Sequence, residues 1–125
     1  MDPPLSELGE AVLGELGAGW DFSLGIAEAF GVGGMQFISF SGPVAGPRVW
    51  AESESTWRLE FAIPDTGLTM ATEWWLKPKG SDSALTEVLV AICSGDYALD
   101  KRDDLQVKVA SKRMPITLPT FPAQP

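Results

Sequence analysis

Two stretches of apolar–polar alternation, separated by a short turn, constrain the fold of this chain more than any other feature. Within 56–63 the large apolar side chains fall at every second position, and the same period runs through 68–77. A period of two places successive side chains on opposite faces of an extended strand. Pro64 early and Gly67 late in the connection suit a four-residue turn. The sequence therefore predicts an antiparallel hairpin that pairs 56–63 with 68–77.

One helix and three further strands follow from equally simple patterns. Apolar residues at spacings of three and four predict a helix over 5–16, which the glycine-rich segment beginning at Gly17 ends. Alternation predicts strands over 35–40, 48–54 and 105–109. The first of these is apolar on both faces, as expected of a strand with neighbours on each side.

Two segments are ambiguous between helix and strand. Residues 20–34 keep a helical spacing of apolar side chains but contain several glycines, so the pattern favours a short helix followed by a flexible glycine turn. Residues 85–93 are apolar on both faces and rich in β-branched side chains. This composition favours a central strand, with a buried helix as the alternative.

Together these elements predict an α+β fold. One N-terminal helix or two precede a predominantly antiparallel β-sheet, which is either sandwich-like or a single sheet covered by the helices. The length of 125 residues fits one domain, placed at 1–113. The four prolines of 114–125 predict an extended C-terminal tail.

Composition narrows the possible chemistry. The chain has no histidine and one cysteine, Cys93, which excludes imidazole-based catalysis, histidine-containing zinc sites and an intrachain disulfide. Cys93 lies in an apolar run, where a thiol behaves as a small buried hydrophobic group. No cofactor or metal is predicted. No apolar run approaches the length of a membrane span and no signal-peptide pattern opens the chain, so we expect a location in the cytoplasm or in an assembled particle.

Charge is unevenly distributed along the chain. The net charge is −8, a balance that opposes direct binding to nucleic acid. Residues 1–46 contain six acidic and no basic side chains, whereas 98–125 contain five basic and three acidic ones. Such ends favour contact between the acidic front of one subunit and the basic rear of another.

The tryptophans divide between the two faces of the predicted hairpin and its neighbouring strand. Trp57 and Trp74 fall on the face assigned to the core, whereas Trp75 and Trp50 fall on the opposite face. An outward indole is either covered by the N-terminal helix or contacts a partner. The residues predicted to bind a partner are Trp75, Trp50, Lys112, Arg113, Leu118 and Phe121.

Acidic residues supply the only candidates for catalysis or metal binding. Glu60 and Glu73 lie on adjacent predicted strands, and paired carboxylates serve acid–base catalysis in hydrolases. Both fall on the polar face, where acids are ordinarily solvated. A further acidic group follows the apolar run and is interpreted as a solvated turn: Asp96, Asp100, Asp103 and Asp104.

These features favour a non-catalytic structural or adaptor protein, a subunit of a homo-oligomeric assembly such as a virus or phage particle component. The expected partner is another copy of the chain or another protein. Two alternatives stay open. The first is an acidic inhibitor or immunity-type protein that covers a basic partner. The second is a small carboxylate-dependent hydrolase that uses Glu60 and Glu73.

Overall fold

The computed structural model describes residues 3–29, 32–51, 56–63, 68–75, 81–99, 106–110 and 115–122. Their fold is α+β, as the sequence predicts, with two helices and an antiparallel sheet. In chain order the elements are α1 Pro3–Leu16, β1 Asp21–Ala29, β2 Val32–Ser41, β3 Ala45–Ala51, β4 Thr56–Ile63, β5 Leu68–Trp75, α2 Ser81–Cys93, β6 Tyr97–Leu99, β7 Gln106–Ala110 and β8 Pro115–Pro122.

Strands β1 to β5 form an antiparallel meander in which each strand pairs with the next. The predicted hairpin is confirmed as β4 and β5, with Ile63 opposite Leu68 at its closed end. Residues 64–67, which connect the two strands, and residues 76–77 lie outside the described part of the chain. The hairpin provides two of the middle strands of the sheet, because its neighbours are β3 and β8.

The other three predicted strands are also present. The segments 35–40, 48–54 and 105–109 correspond to β2, β3 and β7. Residues 52–54 and 105 lie outside the described residues. Strand β2 lies between β1 and β3, as expected from its two apolar faces.

The C-terminal segment predicted to be extended forms β8. Its first half pairs with β7, where Leu118 lies opposite Val107, and its second half pairs with β5, where Phe121 lies opposite Thr69. Because proline has no backbone N–H to donate, it interrupts the pairing of a strand with its neighbour. The prolines of β8 are therefore compatible with a strand that changes its neighbour halfway along. Strand β8 thereby joins the meander to β6 and β7, in the order β1-β2-β3-β4-β5-β8-β7-β6.

Both helices pack on one face of the meander. The helix α1 is confirmed and ends at Leu16. Gly17 follows with a φ of 80°, a conformation that glycine adopts without steric cost, and its N–H donates to the Leu13 carbonyl oxygen at 2.9 Å. The core between helices and sheet comprises Leu5, Leu8, Val12, Ile38, Phe40, Val49, Trp57, Leu59, Phe61, Ile63, Met70, Leu85, Val88, Leu89, Ala91, Ile92 and Cys93. Trp57 is therefore a core residue, as predicted, whereas the side chain of Trp74 lies outside the described ones.

The prediction of a short helix within 20–34 is wrong. Residues 21–29 form β1 and β2 begins at Val32. Phe22 and Leu24 pair with Phe40 and Ile38 of β2, so the apolar residues at even positions all lie on the helix-covered face. Cross-strand pairing with β2 outweighs the local helical spacing, and the glycines that weaken a helix are tolerated in this strand.

The prediction of a strand over 85–93 is also wrong, and the alternative of a buried helix is correct. Helix α2 contacts α1 as well as β3 and β7. A helix with neighbours on several sides is apolar nearly all round, so its sequence loses the amphipathic signature that distinguishes a surface helix from a buried strand.

The sheet curls around α2. Tyr97 of β6 contacts Phe61 of β4 edge-on, with ring centroids 5.3 Å apart. Three strands separate β4 from β6 in the hydrogen-bonded order, a distance of roughly 19 Å in a flat sheet. The far end of the sheet is therefore folded back towards the helix-covered face, while β1 ends the sheet on the other side.

Candidate interaction surface

Strand β1 is an edge strand. Among the described strands it pairs only with β2, and it spans nine residues. The backbone N–H and C=O groups on the outer side of an edge strand can pair with a strand from another chain. Many natural edges are protected by being short, by charged side chains or by proline. Residues 22–27 of β1 contain neither charge nor proline.

Two apolar side chains of β1 are largely exposed. Leu24 is 47% and Ile26 is 67% exposed, although their register opposite Ile38 and Gln36 places them on the helix-covered face. Leu5, in the first turns of α1, lies beside them, and the helix leaves a groove along the edge of the sheet. This groove has a volume of about 410 Å³ and is lined by Leu5, Leu24, Gly25, Ile26, Gln36 and Phe37. We call it the β1 groove.

The exposed charged side chains of α1 and of the start of β1 are acidic. Glu7 and Glu10 are exposed on α1, and Asp21 is exposed at the start of β1. The Asp21 carboxylate accepts a hydrogen bond from the Phe22 backbone N–H at 2.8 Å. Exposed carboxylates on these two elements favour a partner with basic side chains.

The opposite face of the sheet carries an aromatic group covered by an arginine. The rings of Phe37 and Trp50 lie 4.8 Å apart between centroids, inclined by 50°. The guanidinium carbon of Arg48 lies 4.8 Å from the Phe37 centroid and 5.5 Å from the Trp50 centroid. These distances are typical of cation–π contacts. We call these three residues the Trp50 cluster.

The register places the candidate carboxylates opposite arginines. Glu60 on β4 lies opposite Arg48 on β3, and Glu73 on β5 lies opposite Arg58 on β4. Opposite charges at directly paired positions stabilise a sheet modestly. Among the described residues, no group of three or more acidic or cysteine side chains is arranged to hold a metal ion.

Of the residues predicted to bind a partner, Trp50 is the one whose side chain is described. It lies on the predicted face, and because Phe37 and Arg48 pack against it, only 7% of it is exposed. A partner approaching this face therefore meets exposed Arg48 before the indole. Trp75 lies in β5 opposite Thr56. The side chains of Trp75, Leu118 and Phe121, and all of Lys112 and Arg113, lie outside the described residues.

Leu24 and Ile26 were not identified from the sequence as contact residues. The helical interpretation of 20–34 concealed them, because it distributes the apolar side chains of this segment around a helix. The signal that identifies them is the alternation of Phe22, Leu24 and Ile26 with smaller residues, a period of two that extends across Gly25.

The thiol of Cys93 is buried and free. Desolvation by burial raises the pKa of this thiol to about 12, so it stays protonated and is a weak nucleophile at neutral pH. Cys93 thus acts as a core side chain at the end of α2, as the apolar run around it predicts.

Comparisons of the chain with protein-family models, with curated proteins and with solved structures found no match. No helix among the described residues is long and apolar enough to cross a membrane.

Proposed function

We propose that this protein is a non-catalytic structural or adaptor protein, a subunit of a homo-oligomeric assembly such as a virus or phage particle component. The observation that supports the proposal is the exposed edge of β1, on which Leu24 and Ile26 lie beside the β1 groove. Backbone pairing along β1 and burial of these side chains would together form a contact with another chain.

An uncovered edge strand of this kind promotes aggregation. A nine-residue strand with uncharged apolar residues in its middle invites unspecific pairing in a protein that works as a monomer. Covering it in a defined contact removes that hazard and buries Ile26, which is two-thirds exposed in the single chain. The available chemistry on this surface is backbone hydrogen bonding and apolar burial, both suited to contact between macromolecules.

The proposal is tested by the mass of the protein in solution. We expect the parent protein to self-associate at high micromolar concentration in light scattering, and Ile26→Lys to weaken that association at least about tenfold. The lysine removes the apolar burial of one side chain, whose full value is about 1.5–3 kcal/mol, and places a charge at the strand edge.

Val44→Lys is the matched control. Val44 is 56% exposed and lies in the bend between β2 and β3, outside β1, so the same substitution there should leave the association unchanged. A parent protein that stays monomeric at high micromolar concentration contradicts the proposal, as does equal weakening by both lysine substitutions.

One observation favours a second candidate, an acidic inhibitor or immunity-type protein. Glu7 and Glu10 are exposed on α1, within a segment of 46 residues that has no basic side chain. Such a surface accelerates encounter with a basic partner and its binding weakens steeply with added salt. A monomeric parent protein that captures a basic partner at low salt and releases it at high salt would support this candidate over self-assembly.

A further inference from the structure

We infer, resting on the proposed function, that two copies of this chain pair through their β1 edges, antiparallel about a two-fold axis at Gly25. A two-fold contact uses the same surface of both copies, so that surface has to complement itself. The edge at β1 does so, because it combines the apolar β1 groove with two exposed apolar side chains, Leu24 and Ile26. The side chains of each copy fill the groove of the other.

The register centred on Gly25 aligns the apolar residues of the helix-covered face. With Gly25 of one copy opposite Gly25 of the second, Leu24 of each copy lies opposite Ile26 of the other. Directly opposed residues of an antiparallel pair share a face of the sheet and touch across the strands. The pairing therefore covers Ile26, which is 67% exposed in the single chain, next to Leu5 of α1 in the groove.

The same register brings two Phe37 rings together on the opposite face. The tip of the Phe37 ring lies over the backbone of Gly25, since a Cβ atom built there would be 2.6 Å from Cζ of Phe37. Directly opposed Cα atoms are about 4.5–5.5 Å apart, so the two ring tips come into contact above the paired glycines. A register centred one residue away places Gly25 opposite Ser23 or Ala27 and loses this contact.

The size of the edge is sufficient for a specific but weak dimer. Strand β1 has nine residues and is therefore about 30 Å long. The sheet and the helix layer above it are each about 10 Å thick, so the edge measures at most about 600 Å² per copy. Two copies would bury about 1,200 Å², the lower limit for specific interfaces. Association at micromolar concentrations follows from this area.

The other end of the described strand order offers less to a second copy. Strand β6 has three residues, so it can form few backbone hydrogen bonds with β1. Asp96 is exposed just before β6, and Asp21 is exposed at the start of β1. A contact between these two edges would therefore be short and would add like charges.

The exposed carboxylates of the two copies are kept apart in the two-fold pair. Eight residues of strand, about 27 Å, separate the two Asp21 positions. Gly9 of α1 lies against the Phe22 ring, so Gly9 and the adjacent Glu10 are each about 20 Å from their counterparts along the strand. Glu7 lies about 160° around the helix from Gly9, on the side turned away from the sheet. The Asp21 and Glu10 separations exceed the Debye length of about 10 Å at 0.1 M salt, so their repulsion is weak.

Disulfide formation between single-cysteine variants tests the arrangement. Leu24→Cys and Ile26→Cys are made separately in Cys93→Ala, which has no other thiol. A disulfide needs Cα atoms about 4.4–6.8 Å apart. In the proposed register, position 24 of one copy meets this distance to position 26 of the other, whereas two positions 24 are about 8 Å apart. With a mild oxidant, an equal mixture should crosslink in up to about half of its chains, and either variant alone less than about a fifth as much.

Leu24→Cys mixed with Val44→Cys is the control for random collision, because Val44 is exposed outside β1. Sedimentation and thermal unfolding establish that each variant associates and folds as the parent does. Crosslinking of either variant alone to the extent of the mixture overturns the register centred on Gly25. A mixture that associates without crosslinking overturns the pairing of β1 with β1. Both results leave self-assembly intact, whereas a parent protein that stays monomeric overturns the proposed function itself.

Discussion

Gly25 shows how a single residue permits the packing of the sheet face around it. A Cβ atom built at Gly25 would lie 2.6 Å from Cζ of Phe37, closer than real carbon atoms approach. The Phe37 ring in turn packs on Trp50 and under Arg48. A residue that the sequence presents as a helix breaker is therefore the site where the aromatic ring of β2 lies on the backbone of β1.

We predict that Gly25→Ala lowers the free energy of unfolding by about 1–3 kcal/mol, because the added methyl group displaces Phe37 from the Trp50 cluster. Gly14→Ala is the matched substitution. Gly14 lies in α1 with no atom within 4 Å of its built Cβ, so alanine should stabilise the helix by about 0.5–1 kcal/mol. Urea unfolding of the three proteins checks the opposite signs, and two changes of the same sign would contradict the packing argument.

Cys93 makes stability dependent on alkaline pH. Burial raises the pKa of its thiol from 9.0 to about 12. Below pH 9 the thiol is protonated in both states, whereas between about pH 9 and pH 12 the unfolded chain releases a proton that the folded chain keeps. The free energy of unfolding should therefore fall as pH rises through this range, by at most about 1.4 kcal/mol per pH unit from this group.

The measurement is urea unfolding at pH 7.5, 9 and 10.5 for the parent and Cys93→Ala. Burial also raises the pKa of Tyr97, so the parent and the variant share that contribution and their difference isolates the thiol. We expect the stability difference between parent and variant to shrink as pH rises. A difference that stays constant to pH 10.5 would show that the thiol ionises equally in both states.

At the scale of elements, α2 and β1 show where the local spacing of apolar residues is insufficient to predict secondary structure. Leu85, Val88, Leu89 and Ile92 are buried at the spacing of a helix, yet Val90 and Ala91 between them are apolar too, so the run 88–92 is continuously apolar. The neighbours of α2 on several sides allow this composition. The opposite error arises in β1. Its sequence is compatible with a helix, but the segment is extended because β2 pairs along it.

Replacing each of two leucines with alanine tests how much each one contributes to stability. Leu89 of α2 is fully buried, whereas Leu24 of β1 is about half exposed. We predict that Leu89→Ala lowers the free energy of unfolding by about 2–5 kcal/mol and that Leu24→Ala lowers it by less than about 1 kcal/mol. Measurements at low micromolar concentration keep association from contributing. Comparable losses would mean that β1 is covered within the single chain.

At the scale of the whole molecule, charge and topology together determine how association responds to salt. The net charge of −8 makes copies repel one another, whereas the exposed edge of β1 offers an apolar contact. Repulsion between like-charged copies is screened by salt, because the Debye length falls from about 10 Å at 0.1 M to about 3 Å at 1 M.

We therefore predict that the mass-average molecular mass of the protein at fixed concentration increases as sodium chloride rises from low salt to about 1 M, because the repulsion is screened while the apolar contact remains. Light scattering across a salt series checks the sign. A decrease in mass with salt would instead indicate that attraction between unlike charges dominates the contact, and a monomer mass at every salt concentration would contradict self-assembly altogether.

The sequence alone determined those parts of the fold in which local pattern and tertiary neighbours agree: helix α1, strands β2 and β3, the hairpin of β4 and β5, strand β7 and the burial of Cys93. One-sided burial leaves a clear period of two or 3.6 in the order of the side chains. Only the tertiary structure decided that β1 is a strand, that α2 is a helix and that Leu24 and Ile26 stay exposed at the sheet edge. Burial on several sides erases the period in α2, and in β1 the partner strand rather than the segment's own residues selects the extended conformation.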